Sequence, residues 1–264
     1  MTHLTSRRLK TARKRRCNIC SIWRHEGRCN MTIRRLDEGT INRIAAGEVV
    51  ERPASAVKEL VENAIDAGAK RIDVTLENGG KSLIRVEDDG CGMSPADLAL
   101  SLERHATSKL PDGDAGDNLF RITSLGFRGE ALPSIGAVSK MTITTRTADA
   151  PEAGTLTVAG GVAGDMRPAA GTGGTRIEVR DLFYATPARL KFLKSERAEM
   201  MAVSDTLKRL AMAHARIAFS LTNDGRQNFS VPAETGDAGR LNRLSAIMGR
   251  AFGENAVPVL PSAT

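Results

Sequence analysis

The order of residue patterns predicts an α/β fold, and three observations carry that expectation. From Pro53 onward, Val57, Leu60, Val61, Ala64 and Ile65 recur at helical spacing until Gly68, a residue suited to ending a helix. Directly afterwards Ile72, Val74 and Leu76 alternate as in a strand with one buried face, and 83–88 returns as a second strand after the turn Asn78-Gly79-Gly80. The same exchange between helical period and strand period then continues to about residue 252.

Taken in order, a first helix is expected over 37–46 and a second from Pro53 to Gly68. Ser94-Pro95-x-Asp97 supplies an N-cap, a proline at the first helical position and an acid at the third, predicting a helix over 94–105. Residues 107–125 are rich in Gly, Asp and Ser and read as a long loop, which inside a compact domain is usually functional and often a lid. A helix is expected over 129–137, then strands over 138–147, 154–160 and 174–180. A long helix over 195–215 carries Met200, Val203, Leu207, Leu210 and Ala211 at helical spacing. Strands over 218–221 and 228–231 and a helix over 241–252 complete the reading, with 31–216 as one domain and 217–264 as the opening of a second.

Charge is unevenly spread along the 264 residues. Of the net +7, residues 1–30 hold nine Lys/Arg against one acid, while the rest holds 29 bases against 30 acids. The body is therefore neutral, and its composition makes no case for nucleic-acid binding. The basic arm is expected to be a disordered extension ahead of Met31. Within it, Cys17, Cys20, His25 and Cys29 nearly match a zinc knuckle, but are one residue short at the last spacing. Only Cys91 lies in the body, so no disulfide framework forms there, which fits a reducing cytoplasm. No apolar run approaches 18 residues.

Chemistry concentrates in four blocks. On the helix from Pro53, the residues Glu59, Asn63 and Asp66 fall within an arc of roughly 60° at about 100° per residue. Alone, this is the solvated face of an amphipathic helix; together, two carboxylates and an amide also suit a hard cation and a water that must lose a proton. The second strand delivers Asp88-Asp89-Gly90-Cys91-Gly92-Met93, an acid at a strand end beside two glycines that let a ligand approach the backbone. Ser124-Leu125-Gly126-Phe127-Arg128-Gly129 places a glycine turn at the mouth of a helix, where free N–H groups favour phosphate. Gly171-Thr172-Gly173-Gly174-Thr175 leads into a strand with a hydroxyl that could hold a water against a base.

In this order the four blocks resemble the GHKL ATPase superfamily. The strings over 45–69 (AAGEVVERPASAVKELVENAIDAGA) and over 104–139 (RHATSKL…ITSLGFRGEALPSIGAVS) are similar to one branch of it, the MutL family of DNA mismatch repair proteins. The resemblance implies a GHKL (Bergerat-type) α+β two-layer sandwich. It implies ATP and Mg²⁺ as cofactors, with Glu59 as the catalytic base and Asn63 as the metal ligand, Asp66 lending support. Asp88 would read the adenine, with Gly90, Gly92 and Met93 beside the nucleotide and Thr175 supporting. Thr107, Ser108 and Lys109 would begin the ATP lid, and Gly126, Phe127, Arg128 and Gly129 would turn at the triphosphate.

It further implies a mismatch repair protein in the bacterial cytoplasm, nucleoid-associated during repair, whose ATP-driven changes couple a MutS-like mismatch sensor to downstream repair enzymes. It would dimerise through its N-terminal domains and hold DNA weakly by backbone charge. The lysine that a second domain contributes in related ATPases has no identifiable match here, so the chain reads as C-terminally truncated and slow in turnover. An aromatic content of 3% argues against strong single-strand binding. The rival reading is a non-enzymatic nucleic-acid-binding protein using the basic Cys/His arm, which the intact Glu59 disfavours.

Overall fold

The computed structural model describes residues 33, 35–109, 124–126 and 128–257. The basic arm and its Cys/His motif, Phe127 and most of the loop over 107–125 lie outside the described residues. The chain divides after Arg35, and the unit from Leu36 onward is the body described here.

Two helices come first, α1 (Glu38–Val49) and α2 (Pro53–Asp66), followed by the antiparallel strands β1 (Arg71–Glu77) and β2 (Leu83–Asp88). After α3 (Pro95–Leu100) and α4 (Ala131–Val138) come β3 (Lys140–Arg146), β4 (Ala153–Ala159), the short β5 (Val162–Ala163) and β6 (Arg167–Ala169), and β7 (Gly174–Arg180). The remainder is α5 (Pro187–Leu190), α6 (Glu196–Ala213), β8 (Ala218–Asn223), β9 (Arg226–Val231), α7 (Gly236–Met248) and α8 (Arg250–Asn255). The strands make one sheet in the order β5-β4-β3-β7-β2-β1-β8-β9, with β6 also on β4. Only β1 and β8 run parallel among these pairs.

Alternation along the strands divides the sheet into two faces. Ile72, Val74 and Leu76, Ile84 and Val86, Met141 and Ile143, Ile177 and Val179, and Phe219 and Leu221 are buried under the helices. The opposite face is polar and stitched by pairs such as Arg85 to Glu178 at 2.9 Å. This is the expected two-layer sandwich, with Val57, Leu60, Val61 and Ala64 of α2 in the shared core.

Both ends of α2 are held. Pro53 opens it without a side-chain cap; instead the Arg52 guanidinium donates two hydrogen bonds, at 3.0 and 2.9 Å, to Glu199 Oε2 on α6. At the other end Gly68 takes φ +74°, its N–H donates to Ile65, and the Ala69 N–H reaches back to Ala64, the paired bonds of a Schellman stop.

Two expectations change. The helix over 94–105 is capped by Ser94 as read, but ends at Leu100. Tight i→i+3 bonds then turn the chain so that the His105 N–H meets the Gly129 carbonyl. The helix over 241–252 begins earlier and is two helices, because Gly249 adopts φ +101° and breaks the ladder. The strand β8 pairs with β1 inside the same sheet, and 218–257 lies in the compact unit that starts at Leu36.

Candidate nucleotide site

The strand register builds one end of the site. Asp88 continues the row of Ile84 and Val86, so its carboxyl turns toward the helical layer. Opposite Asp88 on β7 stands Thr175, and opposite Thr175 on β3 stands Thr145. Three neighbouring strands thus end in a polar row above an apolar core. Asp88 Oδ1 accepts from the Gly90 N–H at 2.9 Å, and its carboxyl also accepts from the Thr175 backbone. Burial nevertheless dominates, and it pushes the Asp88 carboxyl above the usual aspartate range, with neighbouring Asp89 adding to the rise.

Beyond Asp88 the chain folds back over the end of α2, where the Cys91 N–H donates to the Ala67 carbonyl at 3.0 Å. Gly92 has φ +70°, and a Cβ there would run into the Arg146 carbonyl, so only glycine fits this turn. Met93 is then tied to the sheet, its N–H donating to Thr145 Oγ1 at 2.9 Å. Thr145 was not among the residues expected from the sequence. Its signal was the alternation Met141, Ile143, Thr145, which places a hydroxyl where the next core residue belongs.

The second half of the site lies on α2. Asn63 Oδ1 and Asp66 Oδ2 both accept from the Lys109 ammonium, at 2.7 and 2.6 Å. Asp66 also accepts from the N–H groups of Leu125 and Gly126, at 3.0 and 3.2 Å. Burial works to raise the Asp66 pKa, but Lys109 and the two N–H groups outweigh it and hold the carboxyl below its ordinary value. Asp66 therefore joins helix α2, the start of the expected lid and the glycine turn, a larger part than the sequence suggested. Thr107 supports the same corner, accepting from the Lys109 N–H at 3.2 Å, while Ser108 and Arg128 are exposed. Gly129 takes φ +60° with its backbone against the Ala106 carbonyl.

Glu59 lies one turn nearer the start of α2 on the same face. Among the described residues it meets only Lys58, at 3.7 Å, while Lys58 itself pairs more closely with Glu62 at 2.8 Å. Its carboxylate is half-buried, and its ion pair with Lys58 is the looser of the two that Lys58 makes. Among the described residues no group of three or more His, Cys, Asp or Glu side chains is placed to hold a metal. The oxygens of Asn63 and Asp66 do accommodate a cation, since the Lys109 ammonium sits on them, and an oxygen donor pair of this kind suits Mg²⁺.

The chain is similar to known proteins over most of its length. Residues 51–160, which span α2, β2, β3 and the glycine turn, match the family of histidine kinase-, DNA gyrase B- and HSP90-like ATPases. The DNA mismatch repair protein MutL of Paramagnetospirillum magneticum is 60% identical over 229 residues, 86% of this chain and 37% of the relative. Its counterpart in Caulobacter vibrioides is 58% identical over 233 residues, 87% of this chain and 37% of the relative. Among solved structures, the Aquifex aeolicus MutL ATPase domain complexed with ADP matches at 30% identity and a TM-score of 0.60, covering 76% of this chain and 70% of that one.

The chain belongs to the MutL family. Its body is a GHKL ATPase domain of the MutL type. It spans little more than a third of the length of the curated MutL relatives, 37% of the first. The rival view of the body as a degenerate scaffold for a nucleic-acid-binding arm finds no support, because the match to MutL relatives takes in 86% of the chain. No described helix is long and apolar enough to cross a membrane.

Proposed function

We propose that this chain binds ATP together with Mg²⁺ and hydrolyses it, driving the conformational changes of a MutL-type mismatch repair protein. The observation that carries the reading is the meeting of two polar groups at the C-terminal half of α2. Asn63 and Asp66 hold a cation there, and the loop from Asp88 to Met93 packs against the helix end.

The base of the nucleotide is read by Asp88, whose carboxylate accepts from the exocyclic amino group, while Gly90 and Gly92 let the ring approach the backbone. Asn63 is the protein ligand of the metal, which supplies positive charge beside the phosphates. Thr107, Ser108, Lys109, Gly126, Phe127, Arg128 and Gly129 surround the triphosphate, where N–H groups and cationic side chains favour it. Glu59 orients the attacking water and takes its proton, a role open to a half-buried carboxylate whose ion pair with Lys58 is loose, at 3.7 Å. Positioning and electrostatics supply most of the acceleration.

Partners follow from the family. They are a MutS-like mismatch sensor, DNA held loosely through its backbone, and a second copy meeting through the ATP-bound N-terminal domains, in the bacterial cytoplasm. The decisive experiment replaces the base. Glu59→Ala is expected to keep nucleotide affinity within a few-fold and to lower turnover by about 10²-fold or more. Turnover at the parent rate would overturn the mechanism.

A further inference from the structure

Glu62 is a buried carboxylate of α2 to which the proposed hydrolysis gives no task. It holds Lys58 one turn back, at the i,i+4 spacing that brings side chains together on a helix, and both of its oxygens stand 2.8 Å from the Lys58 ammonium. The same ammonium lies 3.7 Å from Glu59 Oε1, beyond hydrogen-bond distance. Neighbouring positions on a helix diverge by about 100°, so Lys58 does not face Glu59 squarely. Glu62 is also the less hydrated of the two carboxylates, its side chain 11% exposed against 31% for Glu59, so water screens its attraction for the ammonium less. Lys58 therefore stands between two carboxylates and is drawn to the one with no chemistry to perform.

We propose that Glu62 is a positioning residue that acts through Lys58: by keeping the ammonium on its own oxygens it holds Lys58 off Glu59, and the Glu59 lone pairs stay available to the attacking water. The inference rests on the reading of Glu59 as the base. At hydrogen-bond distance, Lys58 would donate into a lone pair that must receive the proton of the water, and its charge would blunt the carboxylate as a proton acceptor. The flexible four-carbon stem of Lys58 has to shift its ammonium by only about 1 Å to reach that position. The bond to Glu62 is what prevents the shift.

The test uses the full chain, with single-turnover ATP hydrolysis and the ATP dissociation constant measured separately. Glu62→Gln keeps the shape of the side chain and removes its charge. Its rate at saturating ATP is expected to fall about tenfold, with the dissociation constant held within about twofold. Lys58→Met alone is expected to stay within about twofold of the parent in both quantities. With both substitutions in one chain, the rate is expected to return to that of Lys58→Met, because no ammonium is left to move. A merely structural role of Glu62 would not be relieved by removing Lys58. A second readout is independent of turnover: in a crystal structure of Glu62→Gln without nucleotide, Lys58 Nζ is expected about 2.8 Å from a Glu59 oxygen. Glu62→Met, which fills the same buried space without a charge, is read in the same way if the glutamine variant does not fold. A Glu62 variant at the parent rate, a double variant as slow as Glu62→Gln, or a Lys58 that stays off Glu59 when Glu62 is replaced overturns the inference, and the reading of Glu59 as the base stands as long as Glu59→Ala is slow. Glu59→Ala at the parent rate overturns both.

Discussion

Asp66 and Asp88 lie at opposite ends of the site and are pushed in opposite directions. Asp66 is held ionised by Lys109 and two backbone N–H groups despite its burial. Removing its partner leaves a carboxylate, with a side chain only 9% exposed, half satisfied. Lys109→Met is therefore expected to cost about 1–3 kcal/mol in urea denaturation. Lys58→Met, which breaks a pair whose lysine is 49% exposed, should cost well under about 1 kcal/mol in the same measurement. Asp88 is the reverse case, since burial favours its neutral form. The folded state then holds this proton more tightly than the unfolded chain. The associated stability is greatest at low pH and is lost as pH rises from the ordinary aspartate range through the raised folded pKa. Asp88→Asn cannot ionise, so near neutral pH it is expected to melt at a higher temperature than the parent while losing nucleotide affinity. In the parent, affinity for ADP should weaken on acidification at a pH above the ordinary aspartate value of about 3.9. Equal melting temperatures for parent and variant at neutral pH would argue against an ionised, buried Asp88.

At the level of elements, α2 shows what local pattern can and cannot reveal. The face bearing Glu59, Asn63 and Asp66 follows from a helical repeat of about 3.6 residues, and the stop at Gly68 follows from the left-handed backbone only glycine adopts readily. Those features are written within a few residues and are legible in the sequence. The contacts that fix the helix are not, because they join residues far apart in the chain. Arg52 meets Glu199 across 147 positions, and Asp66 meets Lys109 across 43. Thr145 escaped for another reason: within a strand of threonines, only the register with Thr175 shows which hydroxyl is buried. Glu199 is the more consequential anchor of α2. It is 1% exposed, and besides Arg52 it accepts from the Lys194 N–H at 2.9 Å. Glu199→Ala strands a guanidinium and a backbone donor at once. It should destabilise by about 2–4 kcal/mol, discounted from a fully buried pair because Arg52 keeps some access to water. Chemical denaturation of the variant measures this, and a loss below about 1 kcal/mol would mean that Pro53 alone suffices to start the helix.

For the whole molecule, the sheet is a continuous platform whose β1–β2–β7–β3 centre carries the site while β8 and β9 extend it on the far side of β1. A buried arginine helps to fasten the last helices to that extension, beside the packing of Ile247 on the core. Arg243 on α7 is 1% exposed and lies over the Phe219 ring, with its guanidinium carbon 5.8 Å from the centroid. Its guanidinium donates to the carbonyls of Ala211 at 2.7 Å, His214 at 3.3 Å, Ala215 at 3.0 Å and Ile217 at 2.8 Å, and also to Pro232. These are the end of α6, the entry to β8 and the exit from β9, so one planar donor gathers three chain segments. A methionine would fill much of the space but leave those carbonyls without their charged donor. Arg243→Met is expected to lose about 3 kcal/mol or more of stability, and to lose it unevenly. Amide exchange should accelerate most in β9, α7 and α8, whose union with the sheet depends on Arg243, and least in β1, β2 and β7, which are paired on both sides. Nucleotide affinity should then survive in the variant, because Asn63, Asp66, Asp88 and Thr175 lie on elements Arg243 does not touch. Uniform acceleration across the sheet would instead make the fold one cooperative unit in which the site cannot outlast its edge.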